Sequence, residues 1–250
     1  PMWWDYEFSM TRPAVGLLFR RNYSGFVSSR INFFYAYIGG DDDLITKPGE
    51  PEQTHQWWRY ARNLSFRSPI IELSAQIEIN FMRYEIGRKR FRFAPYGFLG
   101  FGGFYFNPKA KDKDGSWVKL KPLHTEGQGM LNYPDRKNYS LIQPCMLLGL
   151  GFKYNVSENW SVGFEYGHRI TWTDYIDDVS KSYVAESDFN TYFSSSPTDA
   201  AKAYEMSRRS VEINPDDPNY LPGLDATEVG DQRGDPSDND HYVFIGVVTL

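Results

Sequence analysis

Apolar and polar residues alternate one for one along much of the chain, and this alternation predicts strands. The clearest run is residues 71–81. Ile71, Leu73, Ala75, Ile77, Ile79 and Phe81 are apolar, and Glu72, Ser74, Gln76, Glu78 and Asn80 are polar or charged. A period of two places the two sets on opposite faces of a strand. The run is as long as the roughly 9–11 tilted residues that carry a strand across a bilayer. Its apolar face therefore meets either a protein core or lipid.

The same pattern recurs along the chain. Residues 4–10 alternate Trp4, Tyr6, Phe8 and Met10 against Asp5, Glu7 and Ser9. After Pro13 the phase changes to Val15, Leu17 and Phe19. Further strands are predicted over 26–38, 71–84, 91–106, 141–154, 160–172 and 241–250. Short connections at 22–25, 85–90 and 155–159 alternate with long ones at 39–67, 107–139 and 173–240. The last long connection carries one predicted helix over 196–211, with Ser196 as cap, Pro197 at the first position and Asp199 closing a capping box.

Up-and-down hairpins with every short turn at one end are the layout of an outer-membrane barrel. A soluble sandwich would need Greek-key crossovers, which give no reason for the alternation. The expected fold is all-β: one domain over residues 1–250, a transmembrane antiparallel up-and-down barrel of about eight strands. Seven strands are secure from Ala14 onward. Bacterial single-chain barrels have even counts, so the eighth is either 4–10 or a first strand missing from this chain.

Composition sharpens this picture without changing it. The 250 residues include 18 Tyr, 18 Phe and 7 Trp, in keeping with aromatic girdles. Tyr23, Tyr84, Tyr154 and Trp160 fall at the short-turn end, and Tyr37, Phe106 and Trp172 at the other. Net charge is -5, without the basic excess of a nucleic-acid partner. Mean hydropathy is -0.55, and no run is apolar over the ~18 residues of a membrane helix. The start, Pro-Met-Trp-Trp, lacks a secretory-signal pattern, as expected of a mature or trimmed chain or one never exported.

The polar faces carry the candidate chemistry. Arg20, Arg30, Glu72, Gln76, Glu78, Lys153, Glu165 and Arg169 share lumen parity and predict a wall of ion pairs filling a narrow barrel. Glu72 and Glu78 lie about 20 Å apart along one strand, too far for joint acid–base work. Asp41, Asp42, Asp43, Asp177, Asp178 and the acids from Asp235 to Asp240 could bind Ca²⁺, but none fits an EF-hand spacing, and they read as solvated loop. His124 has no second ligand at metal spacing, and His168 reads as interfacial. Arg62, Arg67 and residues 125–128 read either as a polar plug or partner surface at the long-loop end, or as simple loop packing. Cys145 has lumen parity, which favours a buried thiol; the alternative is an intermolecular disulfide with a partner. No catalytic, cofactor or metal constellation stands out. On this reading Ile77→Arg is costly and Glu78→Gln mild.

Five segments resemble a known family. They are Thr11-Arg-Pro-Ala-Val-Gly-Leu-Leu-Phe-Arg20, Arg62-Asn-Leu-Ser-Phe-Arg-Ser-Pro-Ile-Ile-Glu-Leu-Ser74, Pro122-Leu-His-Thr-Glu-Gly-Gln-Gly129, Gly149-Leu-Gly-Phe-Lys-Tyr154 and Phe164-Glu-Tyr-Gly-His-Arg169 with Thr173-Asp-Tyr-Ile-Asp-Asp-Val-Ser180. The match is to the PorG-like outer-membrane barrels of the type IX secretion system of Bacteroidota. The resemblance implies a non-enzymatic protein of a Gram-negative outer membrane, associated with the periplasmic ring of the lipoprotein PorK and PorN. It also implies an apolar strand ahead of Thr11, and an aromatic C-terminus where Leu250 stands. In the default topology the short turns face the periplasm, so Glu85, Arg88, Lys89 and Arg90, with Cys145, form the expected partner surface. The alternative reading is a solute channel or ligand-binding barrel.

Overall fold

The computed structural model describes residues 10–44, 59, 62–86, 92–210 and 228–249. Seven long strands form one antiparallel sheet: β1 (Ala14–Asn22), β2 (Val27–Asp41), β3 (Ser65–Asn80), β4 (Phe93–Phe106), β7 (Ile142–Asn155), β8 (Ser161–Thr171) and β9 (His241–Thr249). The short β5 (Lys109–Lys111) and β6 (Trp117–Lys119) form a hairpin, and β5 pairs with the start of β3. The sheet order is β1-β2-β3-β4-β7-β8-β9, so each long strand pairs with its nearest long neighbour in sequence. This is the up-and-down barrel sheet that the turn lengths predict.

The sheet curls until strands far apart in its order meet across the interior. Arg30 of β2 pairs with Glu165 of β8, and Arg169 of β8 with Glu72 of β3. The Phe34 ring of β2 stands 5.2 Å from that of Phe244 in β9. Among the described residues β1 and β9 are the two edges and do not pair with each other. With seven strands of alternating direction, these edges run the same way. Residues 4–9, one of the two candidates for a further strand, lie outside the described residues.

The alternation on β3 resolves into an inside and an outside. Glu72 and Glu78 are 0% exposed, while Leu73 and Ile77 are 60% and 59% exposed. The polar face is the interior, and Leu17, Ile31, Leu99, Phe101, Leu150, Ile245 and Val247 extend the apolar exterior around the other strands. Two residues assigned to the aromatic belts are corrected here. Phe106 shares the inward parity of Phe104 on β4 and is fully buried. Tyr84 turns in beneath the barrel, and its hydroxyl donates to Ser161 Oγ at 2.6 Å.

The long connections fold on themselves. Residues 107–139 carry the β5–β6 hairpin and a 3-10 turn at Lys121–Leu123. Among the described residues the last connection holds two helices, α1 (Glu186–Tyr192) and α2 (Pro197–Ser207), of which the capping pattern predicts only the second. Ala110, Leu120, Leu123, Met130, Val184, Phe189, Ala200, Ala203 and Met206 form their common apolar core. A second core continues down the barrel mouth through Ile70, Phe104, Phe106, Leu147, Tyr139, Ile176 and Tyr242. The described parts of the long loops are thus a packed cap, seated on the barrel by aromatic and aliphatic contacts.

Candidate functional site

Register sets up the lumen. Ser28 and Phe98 flank Glu78 on the neighbouring strands, and Arg30 and Gly100 flank Gln76. Glycines on the inner face make room for the large side chains. A Cβ on Gly149 would lie 2.3 Å from the Phe98 ring, and one on Gly151 would lie 2.8 Å from the Tyr96 ring. The Arg30 guanidinium in turn lies over Phe98, 4.4 Å from its centroid.

Glu78 gathers three cations. Lys153 Nζ donates to Oε1, Arg20 Nη2 lies 2.8 Å from Oε2, and Arg30 Nη1 lies 3.7 Å from the same oxygen. Glu165 takes Arg30 through both terminal nitrogens and also accepts from the Tyr96 hydroxyl. From Arg30 the network runs on: Nε to Gln76 Oε1 at 2.8 Å, Gln76 Nε2 to Ser74 Oγ at 3.3 Å, and Ser74 Oγ to Glu72 Oε1 at 3.0 Å. It ends where Arg169 Nε and the Tyr242 hydroxyl donate to Glu72 Oε2 at 3.1 and 3.0 Å. The structure therefore brings all eight predicted lumen residues into one network. Arg20 Nε and Nη1 and both amide atoms of Asn32 are buried without a hydrogen-bond partner among the described residues.

A second polar cluster lies in the cap. Glu126 accepts the backbone N–H of Ser180 and of Lys181, each at 2.9 Å, and Arg233 Nη1 at 2.9 Å. Arg233 Nη1 also donates to the Asp178 carbonyl at 2.6 Å. The Asp178 carboxylate accepts Tyr139 and Thr125 hydroxyls, at 2.6 and 2.5 Å. Arg62 grips Asp42 through two bonds of 2.9 and 3.1 Å, and its Nη1 donates to the Arg233 carbonyl. Burial pushes the Asp178 carboxyl up to about 7, against the opposing pull of Arg233. Burial does the same to Asp174, also about 7, with Asp177, Glu126 and Asp235 adding like charge. It raises Asp177 and Asp240 as well.

Several expectations change. Asp42 and Asp178 are not solvated loop acids but buried anchors of the cap, and Asp240 is a third, accepting the Ile176 N–H at 2.7 Å. Arg62 belongs to that cluster, whereas Arg67 is exposed on the outer rim, its guanidinium 4.0 Å from the Tyr37 centroid. Cys145 is 0% exposed and packs in the barrel-mouth core, so it offers no partner surface. Glu85 accepts from Arg83 Nε at 2.7 Å, and Arg88, Lys89 and Arg90 lie outside the described residues. His124 packs against the Tyr192 and Phe193 rings, at 5.0 and 6.1 Å. His168 Nε2 meets His241 Nδ1 at 3.0 Å. Arg233 was missed: it sits in an irregular stretch with no periodicity to mark it. Among the described residues no group of three or more His, Cys, Asp or Glu is placed to hold a metal.

In both clusters most of the charged groups are held by other members of the same cluster, an arrangement that fixes a shape. Comparison with curated proteins and with solved structures finds no match for the chain. Residues 5–194 match the model of a family described as domain of unknown function DUF6089. That span is most of the chain, and the chain belongs to the DUF6089 family.

Proposed function

We propose that the protein is a membrane-spanning barrel of a Gram-negative outer membrane. In this reading it is a non-enzymatic component of type IX secretion, anchoring or positioning the PorK/PorN ring. The observation that carries the membrane half is the inverted sheet, with charges inside and bulky apolar side chains outside. In water, exposure of Leu17 at 76%, Phe19 at 71% and Val247 at 68% would forfeit the burial that drives folding. In hydrocarbon the same faces are at home, and closing the sheet between its β1 and β9 edges would satisfy the remaining backbone groups internally. The filled lumen supports an anchoring role over a conducting one. The secretion half rests on the five segment resemblances.

Affinity capture of the tagged full chain from native membranes tests the assignment. Co-recovery of PorK and PorN is expected, and capture of the chain without either ring subunit overturns it. Planar-bilayer recordings test the channel alternative: a lumen crossed by the Glu78 and Glu165 ion pairs should be electrically silent.

A further inference from the structure

Cations line up across the outer face of the long-loop rim. Lys109 of β5 pairs with Lys119 of β6 on one side and with Arg67 of β3 on the other. Lys111 follows two residues along the same face of β5, opposite Trp117. Directly opposed like charges on neighbouring strands repel, so an anion placed beside this row is favoured. Among the described residues none of these four cations makes an ion pair with a carboxylate, and neither does Arg12, whose Nη2 donates to Met10 Sδ at 3.7 Å. The acid in the adjoining turn, Asp112, is taken by Lys202 and by backbone N–H groups of Asp114 and Ser116.

The row borders a groove. A cavity of about 340 Å³ is lined by Arg12, Arg67, Lys111, Trp117, Phe66 and Asp41, among others. Arg67 lies between the rings of Tyr37 and Trp117, at 4.0 and 5.8 Å, and Lys111 Nζ lies 5.6 Å from Trp117. Cations and aromatic rings are thus interleaved at the groove, with Asp41 the one carboxylate in its lining, and an amphiphile with an anionic head calls for both. Its depth fits too. Tyr37 pairs with Pro69, so Arg67 stands two residues further out, about 7 Å along the strand. The headgroup layer outside an aromatic girdle is of similar thickness, roughly 5–8 Å.

We propose that this rim binds the phosphorylated headgroup of an anionic membrane lipid. Phosphate oxygens are held by Arg67, Lys111, Lys109 and Arg12, and the lipid's apolar part descends past Trp117 and Tyr37 toward Ile71. The site rests on the membrane-spanning reading. Arg67 supplies the planar fork suited to phosphate, and the lysines act as point charges.

The test uses the full chain in a neutral detergent, titrated with lipid A and followed by native mass spectrometry. Lipid A should bind with defined stoichiometry, and dephosphorylated lipid A at least tenfold more weakly. Each cation removed should cost about fivefold in affinity, so Arg67→Gln with Lys109→Gln and Lys111→Gln should cost about a hundredfold. Arg67→Lys, which keeps the charge, should stay within about fivefold. Equal binding of both lipids, or wild-type affinity in the triple variant, overturns the site. So does displacement of the lipid by millimolar inorganic phosphate, which would mark a free-phosphate site. Flotation with phosphatidylcholine vesicles separates the two readings. A chain that floats but ignores the phosphates loses only the lipid site, and one that does not float loses the membrane reading and the site together.

Discussion

The lumen and the cap are both buried polar clusters, yet they are built in opposite ways. Lumen residues come from strands at alternate positions, and register alone brings Ser28, Glu78 and Phe98 side by side. Cap residues come from connections: Asp42, Arg62, Glu126, Asp178 and Arg233 meet only after three long loops have folded together. Charge differs as well. The lumen sets Arg20, Arg30, Lys153 and Arg169 against Glu72, Glu78 and Glu165 and carries excess positive charge. The cap crowds carboxyls with raised pKa near Arg62 and Arg233. One cluster is therefore part of the wall that defines the barrel, and the other is a latch between loops that a regular pattern does not constrain.

Removing the central acid of each cluster separates wall from latch, and this is the largest effect expected. Glu78→Ala leaves Arg20, Arg30 and Lys153 facing one another, at a cost of about 3–5 kcal/mol. The loss should be global and appear as a lower urea midpoint for the whole barrel. Even Glu78→Gln should be costly, against the mild effect that the alternation alone implies, because three cations converge on that carboxylate. Glu126→Ala strands Arg233 at a similar price, about 3–5 kcal/mol. Here the loss should be local: faster proteolysis within residues 173–240 with the barrel midpoint unchanged. Equal global destabilisation by both variants would abolish the distinction.

Ile77→Arg probes the opposite face of the same strand. Ile77 is 59% exposed among Leu99, Leu148 and Leu150 on the outer surface. In a bilayer an arginine near the midplane costs about 2–4 kcal/mol, so vesicle insertion should fall sharply. Normal insertion of Ile77→Arg would mean that the outer face does not meet lipid.

pH acts on the cap. Burial holds the Asp174 and Asp178 carboxyls up to about 7, above the ordinary carboxylate range. A carboxyl raised in the folded state favours folding while protonated. That contribution is complete below about pH 4 and fades as pH rises through about 7. The cap should therefore be cleaved faster at pH 8 than at pH 5. Asp174 Oδ2 is buried without a hydrogen-bond partner among the described residues, and the Ser180 hydroxyl that bonds this carboxyl can equally donate to an amide oxygen, so Asp174→Asn chiefly removes a charge. It should slow cleavage strongly at pH 8 and less at pH 5. A wild-type cap insensitive to pH over this range would contradict the burial of these groups.

The contrast between the clusters also accounts for what the sequence discloses. The inward parity of Arg30, Glu78, Lys153 and Arg169 follows from period two, so those members were readable one by one. Tyr96 and Tyr242 complete the network through hydroxyls, and an aromatic residue in a Gly-rich or apolar strand gives no sign of facing in or out. Asp42 and Arg233 carry no local signal, because their burial depends on loops closing over them from distant parts of the chain. The cap core is similar. Phe189, Ala200 and Met206 were legible as helix or loop residues, but the surface they cover, around Ala110 and Leu123, is set by tertiary packing.

The smallest effect concerns a local motif that the sequence displays and the fold does not use. Ser196 and Asp199 have capping-box spacing, and α2 does begin at Pro197. Yet the Ser196 side chain makes no bond to the helix N-terminus; its hydroxyl lies 3.3 Å from Thr198 Oγ1. Its carbonyl accepts from the Ala200 N–H at 3.1 Å, a bond that survives side-chain removal. A working N-cap is worth about 1 kcal/mol. Ser196→Ala should cost well under that, below ~0.5 kcal/mol, and should leave proteolysis of residues 173–240 unchanged. The helix start is held instead by Pro197 and by burial of Ala200, Ala203 and Met206 in the cap core. Ala203→Asp, which puts a charge into that core, should expose the segment where Ser196→Ala does not. A large loss from Ser196→Ala would mean that α2 relies on its own cap, and that the latch is assembled from a helix already formed before the loops close.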